Sequence, residues 1–203
     1  MKQNFLARFM AIVGAVFVLV LSVAIAEPNG GNKLQTFDGT TDGGYGGSST
    51  ILDGVAILNN TDGNVNGSYS GVYIIGSNLN GKLLADVGQL SFVYTGDPTA
   101  GSPRISLPLD INSDGITDVY AFIGATYCNN GAGLVDAIKD PTCTIFVTGG
   151  DIGGYSDWQA LIAAYPTARV GPDGALPFVI ADDAGLWTVS DVRLGKASRL
   201  TGK

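Results

Sequence analysis

Between Leu109 and Phe122 the chain reads LDINSDGITDVYAF, a stretch dense in side-chain oxygens. Counting Asp110 as position one, Asn112 is three, Asp114 five, Ile116 seven and Asp118 nine, with Gly115 at six. Calcium is a hard cation that takes about six to eight oxygen ligands. Side-chain oxygens at alternate residues, the Ile116 carbonyl and the Asp118 carboxylate would wrap one point, and Gly115 would supply the sharp turn. Three carboxylates around a divalent ion attract it, whereas without the ion they repel one another. Turn chemistry gives a competing account, because Asn-Ser-Asp-Gly can reverse a hairpin through Asx-turns alone. Turns explain an Asn and a Gly, but they do not call for carboxylates at positions one, five and nine together. On either account the loop fixes structure and does not catalyse.

Other chemistries are narrower. The chain has no histidine, which excludes Ser-His-Asp and Cys-His catalysis. A glycosidase needs two facing carboxylates; Asp182, Asp183 and Asp191 lie near the last strands, although Asp182-Asp183-Ala-Gly also reads as a turn. The single glutamate, Glu27, sits in a Gly-rich stretch, and we expect no enzyme. Cys128 and Cys143 are fifteen positions apart, unlike C-x-x-C, and a lone pair without histidine makes a poor zinc site. A structural disulfide is the expectation. Gly-rich GGYGGSS lacks the lysine of a phosphate loop. Tyr45, Tyr69, Tyr73, Tyr155, Trp158 and Trp187 carry rings that could stack on sugars, and we single out Tyr155, Trp158 and Trp187. Against this, Tyr and Trp on strands usually belong to the core.

The N-terminus reads as an export signal. Lys2 and Arg8 precede an uncharged run, Phe9 to Ala26, that ends in Ala24-Ile25-Ala26, so residues 1–26 are expected to be a signal peptide cleaved after Ala26. A retained membrane anchor is the competing reading of so long an apolar run. Removing Lys2 and Arg8 from the eleven basic residues leaves nine against eighteen acidic ones, a net charge of −9. No basic cluster is present, so no nucleic-acid partner is expected. A secreted or cell-surface protein without a membrane span follows, and an oxidising compartment suits the disulfide.

The elements that must position these residues read as strands. Residues 27–49 form a Gly/Asn-rich linker or irregular edge, and 50–203 the domain proper. Within it, TILDGVAIL, YSGVYIIG, QLSFVYTG, RISLPLD, DVYAFI, CTIFVTG, LPFVIAD and LWTVSDVRLG are short apolar runs separated by turn signals. Ile105, Leu107 and Leu109 alternate with Arg104 and Ser106, and Leu90, Phe92 and Tyr94 repeat the pattern. This predicts an all-β fold, a β-sandwich of jelly-roll-like type. One segment differs: Tyr155 to Pro166 places Trp158, Leu161, Ile162 and Tyr165 at helical spacing behind Ser156, an apt N-cap. It predicts one short amphipathic helix whose stripe faces the core.

The D-x-N-x-D-G-x-x-D pattern resembles the calcium-binding β-hairpin loops of FG-GAP repeats and shares its first half with dockerin and thrombospondin type 3 loops. It is not an EF-hand, since Ala121 stands where a bidentate Glu is required. At domain level, FVIADDAGLWTVSDVRLG and LADVGQLSFVYTGD resemble strands of jelly-roll carbohydrate-binding modules and concanavalin-like lectins. That resemblance implies a calcium-stabilised sandwich that recognises glycans. No row of exposed tryptophans accompanies it, which points away from crystalline polysaccharide. A structural or adhesive protein of the extracellular matrix or envelope, capable of self-association, is the alternative, and an Asp-dependent glycoside hydrolase the third.

Overall fold

The computed structural model describes residues 33–42, 45–61, 67–128, 133–148 and 154–195. The expected signal segment lies outside them. The described residues form two antiparallel sheets packed face to face. The larger orders β1 (Lys33–Asp38), β4 (Ser70–Ile75), β12 (Phe178–Ala181), β6 (Arg104–Asp110), β7 (Val119–Gly124), β9 (Ile145–Val147) and β10 (Gly154–Tyr155). Its remaining strand, β11 (Arg169–Val170), pairs with the end of β6. The smaller sheet orders β2 (Ser48–Leu52), β3 (Val55–Asn60), β13 (Gly185–Gly195), β5 (Gln89–Thr95) and β8 (Leu134–Asp136). The described residues make an all-β sandwich with one short helix, α1 (Trp158–Ala164).

Period-two alternation decides which side chains meet between the sheets. Ile105, Leu107 and Leu109 of β6 are 0% exposed, as are Leu90 and Phe92 of β5 and Val189 of β13. Each such burial contributes about 2 kcal/mol relative to an exposed side chain. Pro108 interrupts no ladder, because it falls between the stretch of β6 that pairs β12 and the stretch that pairs β11.

Some local readings need correction. TILDGVAIL is not one strand: it is a hairpin of β2 and β3 that turns at Asp53 (φ 48°) and Gly54 (φ 79°). Asp-Gly with both residues left-handed is the turn that matches strand twist. The sandwich also begins before residue 50, since Lys33–Asp38 is a regular edge strand paired with β4. The helix is capped by Asp157 rather than Ser156: Ala160 N donates to Asp157 Oδ1 at 2.8 Å. Its stripe does face inward, with Trp158 and Leu161 buried and Ile162 and Tyr165 packed against the core. A Cys128–Cys143 disulfide, S–S 2.08 Å, ties the chain after β7 to the chain before β9.

Candidate functional site

The loop between β6 and β7 is closed by its own hydrogen bonds. Asp110, 1% exposed, accepts from Ser113 N at 2.6 Å and Gly115 N at 2.9 Å. Asp118 accepts from Ile111 N at 2.9 Å and from Asn112 Nδ2 at 3.0 Å. Asp114 accepts from Ile116 N at 2.9 Å and from Asn112 Nδ2 at 3.2 Å, while Asn112 Oδ1 accepts from Asp114 N at 2.9 Å. Ser113 (φ 66°) and Gly115 (φ 90°) take the left-handed conformation that the turn requires. The loop is also tied down from outside. Asp173 accepts from Thr117 N at 3.1 Å and Thr117 Oγ1 at 2.7 Å, and Ser113 Oγ donates to the Thr167 carbonyl at 3.2 Å. Burial would raise the Asp173 carboxyl, but the bonds from Thr117 outweigh it and hold the group below its ordinary range.

The fit to calcium is mixed. Asp110, Asn112, Asp114, Asp118 and the Ile116 carbonyl have the hard-oxygen chemistry that the ion prefers. Among the described residues no three His, Cys, Asp or Glu side chains stand close enough together in this arrangement to hold a metal. The Asn112 amide nitrogen stands between two of the carboxylates, donating to both, and supplies the partial positive charge that an ion would bring.

The rings singled out from the sequence do not form a binding surface. Trp158 is 2% exposed and Trp187 1%, so both are core residues, a correction to their reading as ligand contacts. Trp187 is held there by its Nε1 donating to the Asp97 carbonyl at 3.0 Å. A large ring contributes most when its whole surface leaves water, and that draws both tryptophans inward. Tyr155 is half-buried and donates to the Tyr165 hydroxyl at 3.1 Å, a bond that, with burial, pushes its own hydroxyl up to about 12.

A different set of aromatics lines the outer face of the larger sheet. Strand register places Gln35, Tyr73, Phe178, Ser106, Phe122 and Phe146 in one line across β1, β4, β12, β6, β7 and β9. Phe37 and Tyr120 flank that line. Ring centroids are 4.5 Å apart for Phe37–Tyr73, 6.0 Å for Tyr73–Phe178 and 5.7 Å for Tyr120–Phe178. The rings close over β6 so fully that Ser106 is 1% exposed, its hydroxyl without a hydrogen-bond partner. Interplanar angles of 38° to 74° make the cluster uneven rather than a flat plate. Three outward-facing glycines make room for neighbouring rings. A Cβ on Gly71 would strike the Phe37 ring, one on Gly124 would meet Tyr127 at 2.9 Å, and one on Gly154 would meet Phe146 at 3.0 Å.

Polar groups border the rings. Tyr69 donates to Asp42 at 3.3 Å, and burial followed by the Asp42 charge raises its hydroxyl pKa. Burial raises Tyr73 too, aided by Asp42 and Tyr120, and it raises Tyr120, aided by Asp173. Arg104 lies over the Phe122 ring at 4.7 Å and forks onto Asp182, with Nη2–Oδ2 at 2.6 Å.

The acids considered for catalysis are engaged. Asp182 is bound to Arg104, and Asp183 accepts from Ser102 Oγ at 2.8 Å. Asp191 pairs with Arg193 at 2.8 Å where β13 slips register. No helix among the described residues is long and apolar enough to cross a membrane. Comparison with family models, curated proteins and solved structures gives no match.

Proposed function

We propose that this protein is a secreted recognition module that binds glycans on the outer face of its larger sheet. The observation that carries the reading is the Tyr73–Phe178–Tyr120 cluster, three half-buried rings from three strands that meet on the outer face of the larger sheet. Sugar rings present apolar C–H faces that pack on aromatic surface, and tyrosine hydroxyls beside them can hydrogen-bond sugar hydroxyls. The uneven tilt of the rings favours a single soluble chain over the flat surface of a crystalline polysaccharide. The disulfide fits an extracellular setting. Calcium is the proposed structural ion of the β6–β7 loop, held by Asp110, Asn112, Asp114, Asp118 and the Ile116 carbonyl. It would supply the charge that sets the three carboxylates against one point.

A glycan array probed with the secreted protein tests the reading. Selective binding is expected, and Tyr73→Ala or Tyr120→Ala should weaken it about ten-fold, the value of one lost aromatic contact. Binding unaffected by both substitutions would remove the site. An adhesive or structural role is the second reading, supported by β2. It is an edge strand of the smaller sheet, and Leu52 at its end is 63% exposed. Such an edge can accept a strand from another chain. Folded protein that binds no glycan and self-associates through β2 would favour it.

A further inference from the structure

The aromatic cluster is bordered by acid on both sides. Asp42, exposed, reaches Tyr69 and acts electrostatically on Tyr73. On the opposite side Asp173, also exposed, acts on Tyr120 while its oxygens hold Thr117. Among the described residues no basic side chain forms an ion pair with either of them. Arg104 is the one basic residue within the ring line, and Asp182 neutralises it through a two-pronged ion pair. Arg169 turns to the Gly81 carbonyl at 2.7 Å, Lys82 bonds Asn78 at 3.3 Å, and Lys33 stands at the start of β1, two residues before Gln35. Lys139 and Arg193 belong to the side of the smaller sheet, paired with Asp136 and Asp191.

Rings framed by carboxylates suit a ligand that carries positive charge. An ammonium group is attracted both by the ring faces and by the acids, whereas a uronate or sulfate group is repelled by the acids and gains no partner in return. The field of a strongly acidic chain adds to this preference at a distance. We propose that the glycan taken by this face bears free amino groups, and that Asp42 and Asp173 select for them. The proposal rests on the glycan-binding reading above and narrows it to one charge class.

Isothermal titration of the secreted protein with three oligosaccharides of equal length and linkage tests it. They are a glucosamine oligomer, its fully N-acetylated counterpart and a uronic-acid oligomer, compared at mildly acidic pH. The amino sugar is expected to bind about ten-fold more tightly than the acetylated one, roughly three-fold from each carboxylate, and the uronate not at all. Asp42→Asn combined with Asp173→Asn should bring the amino and acetylated sugars to equal affinity. Asp86→Asn combined with Asp97→Asn removes the same charge away from the rings and should leave the preference intact. Equal loss in both double variants would reduce the preference to net charge and overturn the proposal. Acetylated sugar bound as tightly as the amino sugar, or uronate bound at all, would overturn it while leaving glycan recognition standing. Binding of none of the three would overturn both.

Discussion

Supplying calcium and then withdrawing it with a chelator perturbs the β6–β7 loop without changing a residue. Asp110 is buried and already accepts two backbone N–H groups, so part of its worth is independent of an ion. Asp110→Ala would strand both donors and should cost about 2–4 kcal/mol in chelator, and more in calcium, where a ligand is lost as well. Asp114 is exposed, and its bonds to Ile116 N and Asn112 are worth under about 1 kcal/mol in water. If an ion is bound, Asp114→Ala loses far more. Calcium at about one hundred times its dissociation constant stabilises the fold by about 2.7 kcal/mol. For a domain of this size that is about 5–10 °C in melting temperature. Thermal unfolding followed by circular dichroism should therefore show the parent protein melting about 5–10 °C higher in calcium than in chelator, with the gap abolished by Asp114→Ala. Identical melting of the parent protein in both conditions would refute the argument. The Asn112 amide would then be the loop's permanent substitute for a cation.

The remaining predictions concern the two cross-links. Mass spectrometry of the unreduced chain should find it lighter than the reduced form by a pair of hydrogens, with no thiol open to alkylation. Joint Cys128→Ala and Cys143→Ala replacement should cost about 3 kcal/mol, and a free thiol in the native protein would reject the cross-link. The Arg104–Asp182 pair should give stability an acid limb. Burial opposes ionisation of Asp182, but the hydrogen bonds and charge of Arg104 outweigh it, so the folded carboxyl titrates below its ordinary range. The stability it contributes is present above that range and is lost as pH falls through the lowered value. Asp182→Asn should flatten this limb and cost about 2 kcal/mol, a figure discounted because the Asp182 side chain is 40% exposed. An unchanged acid limb in chemical denaturation would refute it.

The sandwich was legible wherever one face of a strand is apolar and the other is not. RISLPLD and QLSFVYT alternate cleanly, and the alternation alone assigns Ile105, Leu107, Leu109, Leu90 and Phe92 to the core. Length limits this signal. Strands β8, β10 and β11 have three, two and two residues, too few for a period to register. Strand β1 lies in a polar setting and exists because β4 supplies its hydrogen-bond partners, a tertiary cause that local sequence does not carry. The Asp53-Gly54 turn was present as a signal inside TILDGVAIL, but the apolar residues on both sides made one strand the simpler reading. The helix was readable from spacing, whereas its cap was not, because Ser156 and Asp157 are both good caps and only the backbone geometry separates them.

The candidate site was harder to read for a different reason. In VYAFIG both faces are apolar, so alternation cannot say whether Tyr120 and Phe122 or Ala121 and Ile123 point inward; packing space decides, and the smaller set fits. The ring line then forms only through register, which joins positions far apart in the chain, Phe37, Tyr73, Tyr120, Phe146 and Phe178. Part of that line has an internal cause. Phe37 covers Gly71, Tyr127 covers Gly124 and Phe146 covers Gly154, so these rings shield backbone that would otherwise lie bare to water. The same account does not reach Tyr73, Phe178 and Tyr120. What lies under their edge is Ser106, a buried hydroxyl without a partner, and a sheet optimised for stability alone would put a small apolar residue there. The case for a ligand therefore rests on these three rings, and the substitutions that test it belong at Tyr73 and Tyr120 rather than at the rings that serve the glycines.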